Sequence, residues 1–142
     1  MRLWHYSLIS VLPDKMLVSQ WRECIAIKRQ WEKGTLKHRL VNYVKDYDKK
    51  MFLAYIYRVI REMQNRNISY KTELFTELYD FCSNEEITKL ILDESNYPEH
   101  NDRYLRQCLF NLQEKYDRGI IPEEEWQPIQ KFWDEFEKKQ EK

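Results

Sequence analysis

The chain is short of the residues that break up a fold. Its 142 residues include two Gly and four Pro, which excludes collagen-like and Gly- or Pro-rich low-complexity classes. Three cysteines, Cys24, Cys82 and Cys108, are odd in number and show no Cys-x-x-Cys spacing. Neither a disulfide framework nor a thiolate zinc site is therefore expected, and a reducing cytoplasm is the expected compartment. Three histidines, His5, His38 and His100, have no clustered partners, so no metal and no other cofactor is expected. The longest clean apolar run, residues 51–57, is far below the roughly 20 residues of a bilayer span, and no membrane partner is expected. Met1-Arg2-Leu3-Trp4-His5 lacks the apolar core and small-residue cleavage site of a secretory signal. A Gly-rich phosphate loop, a Gly-x-Ser-x-Gly elbow and a His-Glu-x-x-His motif are also absent, which leaves the common motif-bearing enzyme classes without support.

Aromatic residues, by contrast, are plentiful: five Trp, ten Tyr and six Phe. That many large apolar side chains exclude a solvated, disordered chain. A chain of this length buries close to ~70% of its unfolded surface, which suits a single domain over 1–142. Lys+Arg and Asp+Glu are equal at 24 each, for a net charge of zero, and that balance argues at first against a nucleic-acid partner. Position changes the reading. Residues 1–72 hold 15 basic and 6 acidic side chains (+9), whereas residues 73–142 hold 9 and 18 (−9). Such asymmetry fits a polyanion-binding face in the first half; it fits equally two halves that attract each other within or between copies.

The apolar spacing is helical nearly throughout and predicts an all-α, compact single-domain bundle of about five to six helices. Ser10 is placed to cap the first, with Pro13 near its first turn, Asp14 at its positive end and Gly34 as its stop. Met16, Leu17, Trp21, Cys24, Ile25 and Trp31 form its stripe. Asp48 is placed to cap a second helix with Phe52, Tyr55, Ile56, Val59, Ile60 and Met63 inward and Lys49, Arg58, Arg61 and Arg66 opposite; it ends at 65–67. Shorter helices follow over 73–81 and 85–92, the latter capped by Ser83 or Asn84, then a loop over 93–100. Asn101 or Asp102 opens a helix that stops at Gly119, and Pro122 with three Glu opens a charged final one.

Several side chains are candidates for chemistry. Glu23 lies among Trp21, Cys24 and Ile25, which allows partial burial, but on the residues alone it reads first as a surface carboxylate balanced by Arg22 or Lys28. Lys28, Arg29, Lys33, Lys37 and Arg39 form a basic run that suits either a phosphate-binding strip or a solvated face. The aromatics fall mostly on helical stripes and read as core rather than as base-stacking platforms. Arg103 and Arg106 are spaced to face DNA or to pair with Glu99, Asp102 or the acidic last helix.

Leu8-Ile9-Ser10, Leu12, Asp14, Leu17 and Arg22-Glu23 together resemble the start of the pyrimidine-dimer DNA glycosylases of the phage endonuclease V type. Met1-Arg2-Leu3-Trp4-His5, Trp21-Arg22-Glu23-Cys24, Val41-Asn42, the run from His100 to Cys108 and Glu123-Glu124-Glu125-Trp126 are similar to short bacterial proteins assigned to that family. The second likeness covers most of the chain; the first covers about 24 residues, with Leu112-Gln113-Glu114-Lys115 beyond them. The resemblance implies a compact helical DNA repair glycosylase/AP lyase that acts on pyrimidine-dimer or abasic double-stranded DNA without metal or cofactor. It implies that the α-amine attacks the sugar C1′ and forms a Schiff base, followed by β-elimination. α-Amines as a class titrate at roughly 7.7–8.0, which leaves a usable neutral fraction. Met1 and Glu23 are then the catalytic pair, with Glu23 stabilising the iminium-like cation and assisting proton transfer. Arg2, Arg22, Lys28, Arg29, Arg103, Arg106 and Lys115 become the DNA-contact set.

The sequence departs from the phage pattern at four places. Arg2 replaces the small residue that permits removal of the initiator, so the amine belongs to Met1 and stands one residue farther from Glu23. A one-residue bulge between His5 and Ser10 would absorb that difference. Met16 and Ala26 replace a His and a phosphate-binding Arg, and the C-terminal segment around Trp126 and Trp133 is acidic. The alternative they support is a non-catalytic helical module that binds nucleic acid or protein on the same scaffold.

Overall fold

A computed structural model describes residues 1–83 and 96–141. The central element starts at Asp48, whose Oδ1 accepts the Lys50 N–H at 3.0 Å and caps an orphan donor. This helix, Lys49–Asn65, packs neighbours on two sides. Phe52, Leu53, Ala54, Tyr55 and Ile56 are consecutive and all buried, followed by Val59, Ile60 and Met63. A helix that is apolar around most of its girth belongs in a core. Asn67, in the left-handed region at φ 58°, turns the chain out of it.

In chain order the described residues form a 3-10 helix Tyr6–Val11, α1 Asp14–Lys33, a second 3-10 helix Asn42–Asp46, α2 Lys49–Asn65, α3 Thr72–Cys82, α4 Asp102–Asp117 and α5 Glu123–Gln140. No strand occurs among them. The fold is all-α, as the spacing predicts. The expected helix over 85–92 lies outside the described residues. α1 and α3 pack on α2 and on each other, the first 3-10 helix lies along α2, and α5 covers both that 3-10 helix and α4. One buried cluster runs through all of them, from Leu3 to Phe136.

The expected stops hold. Gly34 takes φ +73° after α1, and the Thr35 N–H reaches back to the Gln30 carbonyl at 2.9 Å. Asn101 caps α4 through Tyr104 N–H at 2.9 Å, and Gly119 takes φ +78° after it. Ser10 is a correction. It sits exposed inside the first 3-10 helix, and α1 starts at Pro13 with no side-chain cap. The Pro13 carbonyl instead accepts the Met16 and Leu17 N–H groups, both at 2.9 Å. Neither 3-10 helix is evident in the apolar spacing.

Candidate active site

Residues 1–5 carry no helix or strand, so their backbone groups need partners from elsewhere. Gln20 supplies two of them. It is 1% exposed and occupies a position on the inward stripe of α1 where an apolar side chain would be expected. Its Oε1 accepts the Trp4 N–H at 2.8 Å and stands 2.9 Å from the Tyr55 hydroxyl. Its Nε2 donates to the Arg2 carbonyl at 2.9 Å and to Glu23 Oε2 at 3.1 Å. Both N–H groups of the amide and its oxygen therefore have partners, which offsets the cost of burying it.

Two tyrosines complete the clamp. Tyr55 on α2 donates to the Trp4 carbonyl at 2.6 Å, and Tyr104 on α4 donates to the Leu3 carbonyl at 2.5 Å. Burial pushes both phenols up from the ordinary tyrosine range, which keeps them protonated as donors. Three helices thus hold the start of the chain in one position.

Glu23, half-buried on α1, accepts from Gln20 and also from the Arg2 N–H at 3.4 Å. Its neighbours are main chain and amide, not Arg22 or Lys28. Covalent geometry puts the Met1 nitrogen at most about 3.7 Å from the Arg2 nitrogen, so amine and carboxylate lie within about 7 Å of each other. The Arg2 guanidinium turns toward α4, 5.5 Å from the Trp4 ring centroid and 5.9 Å from that of Tyr104, with Nη1 4.0 Å from Cys108 Sγ. Its charge lines the site from within. Burial raises the thiol pKa of both Cys24 and Cys108, so neither is an activated nucleophile.

Beneath the clamp, His5 and His100 stack with centroids 5.5 Å apart. His100 Nδ1 accepts the Tyr6 N–H at 3.2 Å, so in the neutral ring Nε2 carries the proton toward the Tyr43 oxygen at 2.7 Å. Burial lowers His5 to about 4 and His100 to about 3. Among the described residues no three His, Cys, Asp or Glu side chains converge on a metal position.

The predicted DNA contacts divide. Arg22 is exposed beside Glu23, and Arg103 is exposed on the first turn of α4. Lys115 is half-buried in the last turn of α4, about 17 Å along the helix from Tyr104 at 1.5 Å per residue. Arg106 lies against α5, 5.1 Å from the Phe136 centroid and 3.6 Å from Glu137 Oε1. Lys28 and Arg29, expected in a phosphate strip, are paired with carboxylates. The Lys28 side chain is 7% exposed, with Nζ 3.2 Å from both Glu32 and Glu77. Arg29 forks onto Glu77 through Nε at 3.0 Å and Nη2 at 3.1 Å. Glu77 on α3, 49 and 48 residues away in sequence, and Glu32 on α1 together balance the two cations.

Sequence reasoning missed Gln20, Tyr55, Tyr104 and the histidine pair as parts of this site. Only Gln20 carried a signal, as an amide on an apolar stripe.

A family profile described as pyrimidine dimer DNA glycosylase matches residues 1–76. The match spans the chain start, α1 and α2, and so includes Gln20, Arg22, Glu23 and Tyr55. No curated protein and no solved structure matches. With more than half of its length matched, the chain belongs to the pyrimidine dimer DNA glycosylase family, a family of DNA repair enzymes.

Proposed function

We propose that this protein is a DNA glycosylase/AP lyase that acts on pyrimidine-dimer or abasic duplex DNA through a Schiff base on its own α-amine. The observation that supports this most is the approach of Arg2 N to Glu23 Oε2 at 3.4 Å, within the segment that the family profile covers. The neutral Met1 amine attacks the sugar C1′. The C1′–base bond breaks and its electron pair leaves with the base, which takes up a proton. The bound amine loses one proton, the C1′–O4′ bond breaks with its electron pair going to O4′, which takes up a proton, and the half-buried Glu23 carboxylate stabilises the cationic iminium that the opened sugar forms with the amine. Removal of a C2′ proton then expels the 3′ phosphate with the C3′–O electron pair, and water releases the imine.

The chain contributes preorganisation above all. Gln20, Tyr55 and Tyr104 fix the backbone of residues 2–4, so the amine and the carboxylate meet the sugar without first being ordered. Borohydride reduction on abasic duplex DNA tests the reading. A covalent protein–DNA adduct is expected from the wild type and none from an N-terminally acetylated protein. No adduct from the wild type would contradict it.

The acidic α5, with Glu123, Glu124 and Glu125 in its first turn, favours a second reading: a non-catalytic binding module. Salt-sensitive binding to abasic duplex with no trapped adduct would select it.

A further inference from the structure

With Lys28 and Arg29 paired to Glu32 and Glu77, other basic residues of the first half are better placed to meet a polyanion. A groove of about 310 Å³ lies between α2 and the first 3-10 helix, with Tyr6, Ser7, Ser10, Arg58, Arg61 and Asn65 on its walls. We propose that this groove holds a backbone phosphate of the DNA strand close to the reacting nucleotide, with Arg58 and Arg61 as its charged contacts. The inference rests on the reading of the chain start as the reacting centre.

Three observations support it. The first is charge. Glu62 also lines the groove, but it is bound to Arg66 at 3.3 Å, and Arg66 further holds Asp14 Oδ1 at 2.9 Å. The groove therefore keeps the charge of its two other arginines, and Arg61 is exposed with no ion pair among the described residues. The second is preorganisation. The Arg58 guanidinium sits 5.0 Å from the Tyr6 ring centroid, and its Nη2 donates to Asn96 Oδ1 at 2.8 Å. An arginine so oriented still has donors in its fork for a phosphate.

The third is position. The Trp4 carbonyl meets Tyr55, the Tyr6 ring meets Arg58, and the Leu12 carbonyl accepts from Arg66. Residues 4–12 thus run alongside α2 in step with it. Tyr6 is four residues from Arg2, at most about 14 Å of chain, which corresponds to roughly four nucleotides of strand rise. The groove and the amine can engage one strand on either side of a lesion.

The test is the salt dependence of affinity for a duplex carrying a tetrahydrofuran abasic analogue. Four proteins are compared: wild type, Arg61→Gln, Arg58→Gln (which keeps a donor for Asn96) and Lys138→Gln, an exposed charge on α5 far along the chain. Each arginine variant is expected to bind several-fold more weakly at low salt and to flatten the log K against log salt slope, the loss for this one phosphate being at most roughly 0.9. Lys138→Gln is expected to change neither. Wild-type slopes in both arginine variants, or an equal loss in Lys138→Gln, would overturn the groove. Wild-type protein that traps no adduct on abasic DNA would instead overturn the proposed activity; a wild type that traps normally beside unaltered arginine variants overturns the groove alone.

Discussion

Gln20 Nε2 lies 3.1 Å from Glu23 Oε2, one turn away on the same helix. The same nitrogen holds the Arg2 carbonyl at 2.9 Å. One amide therefore fixes the carboxylate and the chain start relative to each other. Gln20→Glu keeps the acceptor for Trp4 N–H but sets a second carboxylate against Glu23. Two carboxylates that close resist simultaneous ionisation, so the rate of borohydride trapping is expected to fall at least tenfold and its acid limb to move to higher pH. A purely structural role for Gln20 would lower stability and leave the pH profile in place.

The buried histidine pair makes the fold acid-sensitive. Burial holds His5 at about 4 and His100 at about 3, and the hydrogen bond from His5 to the His100 main chain offsets only part of this for His5. An unfolded histidine titrates near 6.5, so below that pH the unfolded chain binds more protons than the folded one. Stability is therefore full above about 6.5 and falls as pH drops toward those lower values. At pH 5 the loss is about 2 kcal/mol per histidine. Urea denaturation at pH 7 and pH 5 should show it; equal stabilities would contradict neutral buried rings.

The Lys28–Glu77–Arg29 cluster is expected to hold helices together rather than to bind DNA. Glu77→Gln leaves the nearly buried Lys28 with Glu32 alone, at a cost of about 1–3 kcal/mol. Hydrogen bonds from Arg29 and Lys28 hold the Glu77 carboxyl below its ordinary range despite burial. Its contribution is therefore present above the unfolded carboxylate range and is lost as pH falls through that range, after the histidine loss has already begun. Lys28→Met is expected to leave the salt slope of DNA binding unchanged, measured as for the groove variants.

Much of the fold is legible in local chemistry. Asp48, Gly34, Asn101 and Gly119 mark helix ends through backbone needs that depend on a few neighbours. α2 announces its central place by consecutive apolar residues. The site is less legible because its contacts are distant. Gln20 meets residues 16 and 18 positions upstream, and His100 meets Tyr6 across 94 positions. Lys28 shares the stripe of Trp21 and Cys24, yet its charge reads as surface until Glu77 is brought beside it. Ser10 has the right type for a cap, but Pro13 starts the helix three residues later.

The central claim is that the α-amine of Met1 is the nucleophile and that Glu23 assists it. Peptide mass mapping of the borohydride-reduced adduct on abasic duplex DNA tests both parts, with Glu23→Gln run in parallel. The account predicts the sugar on the Met1 nitrogen in the wild type and at least a hundredfold slower adduct formation in Glu23→Gln. An adduct on a lysine such as Lys15, or an equal rate in Glu23→Gln, would contradict it.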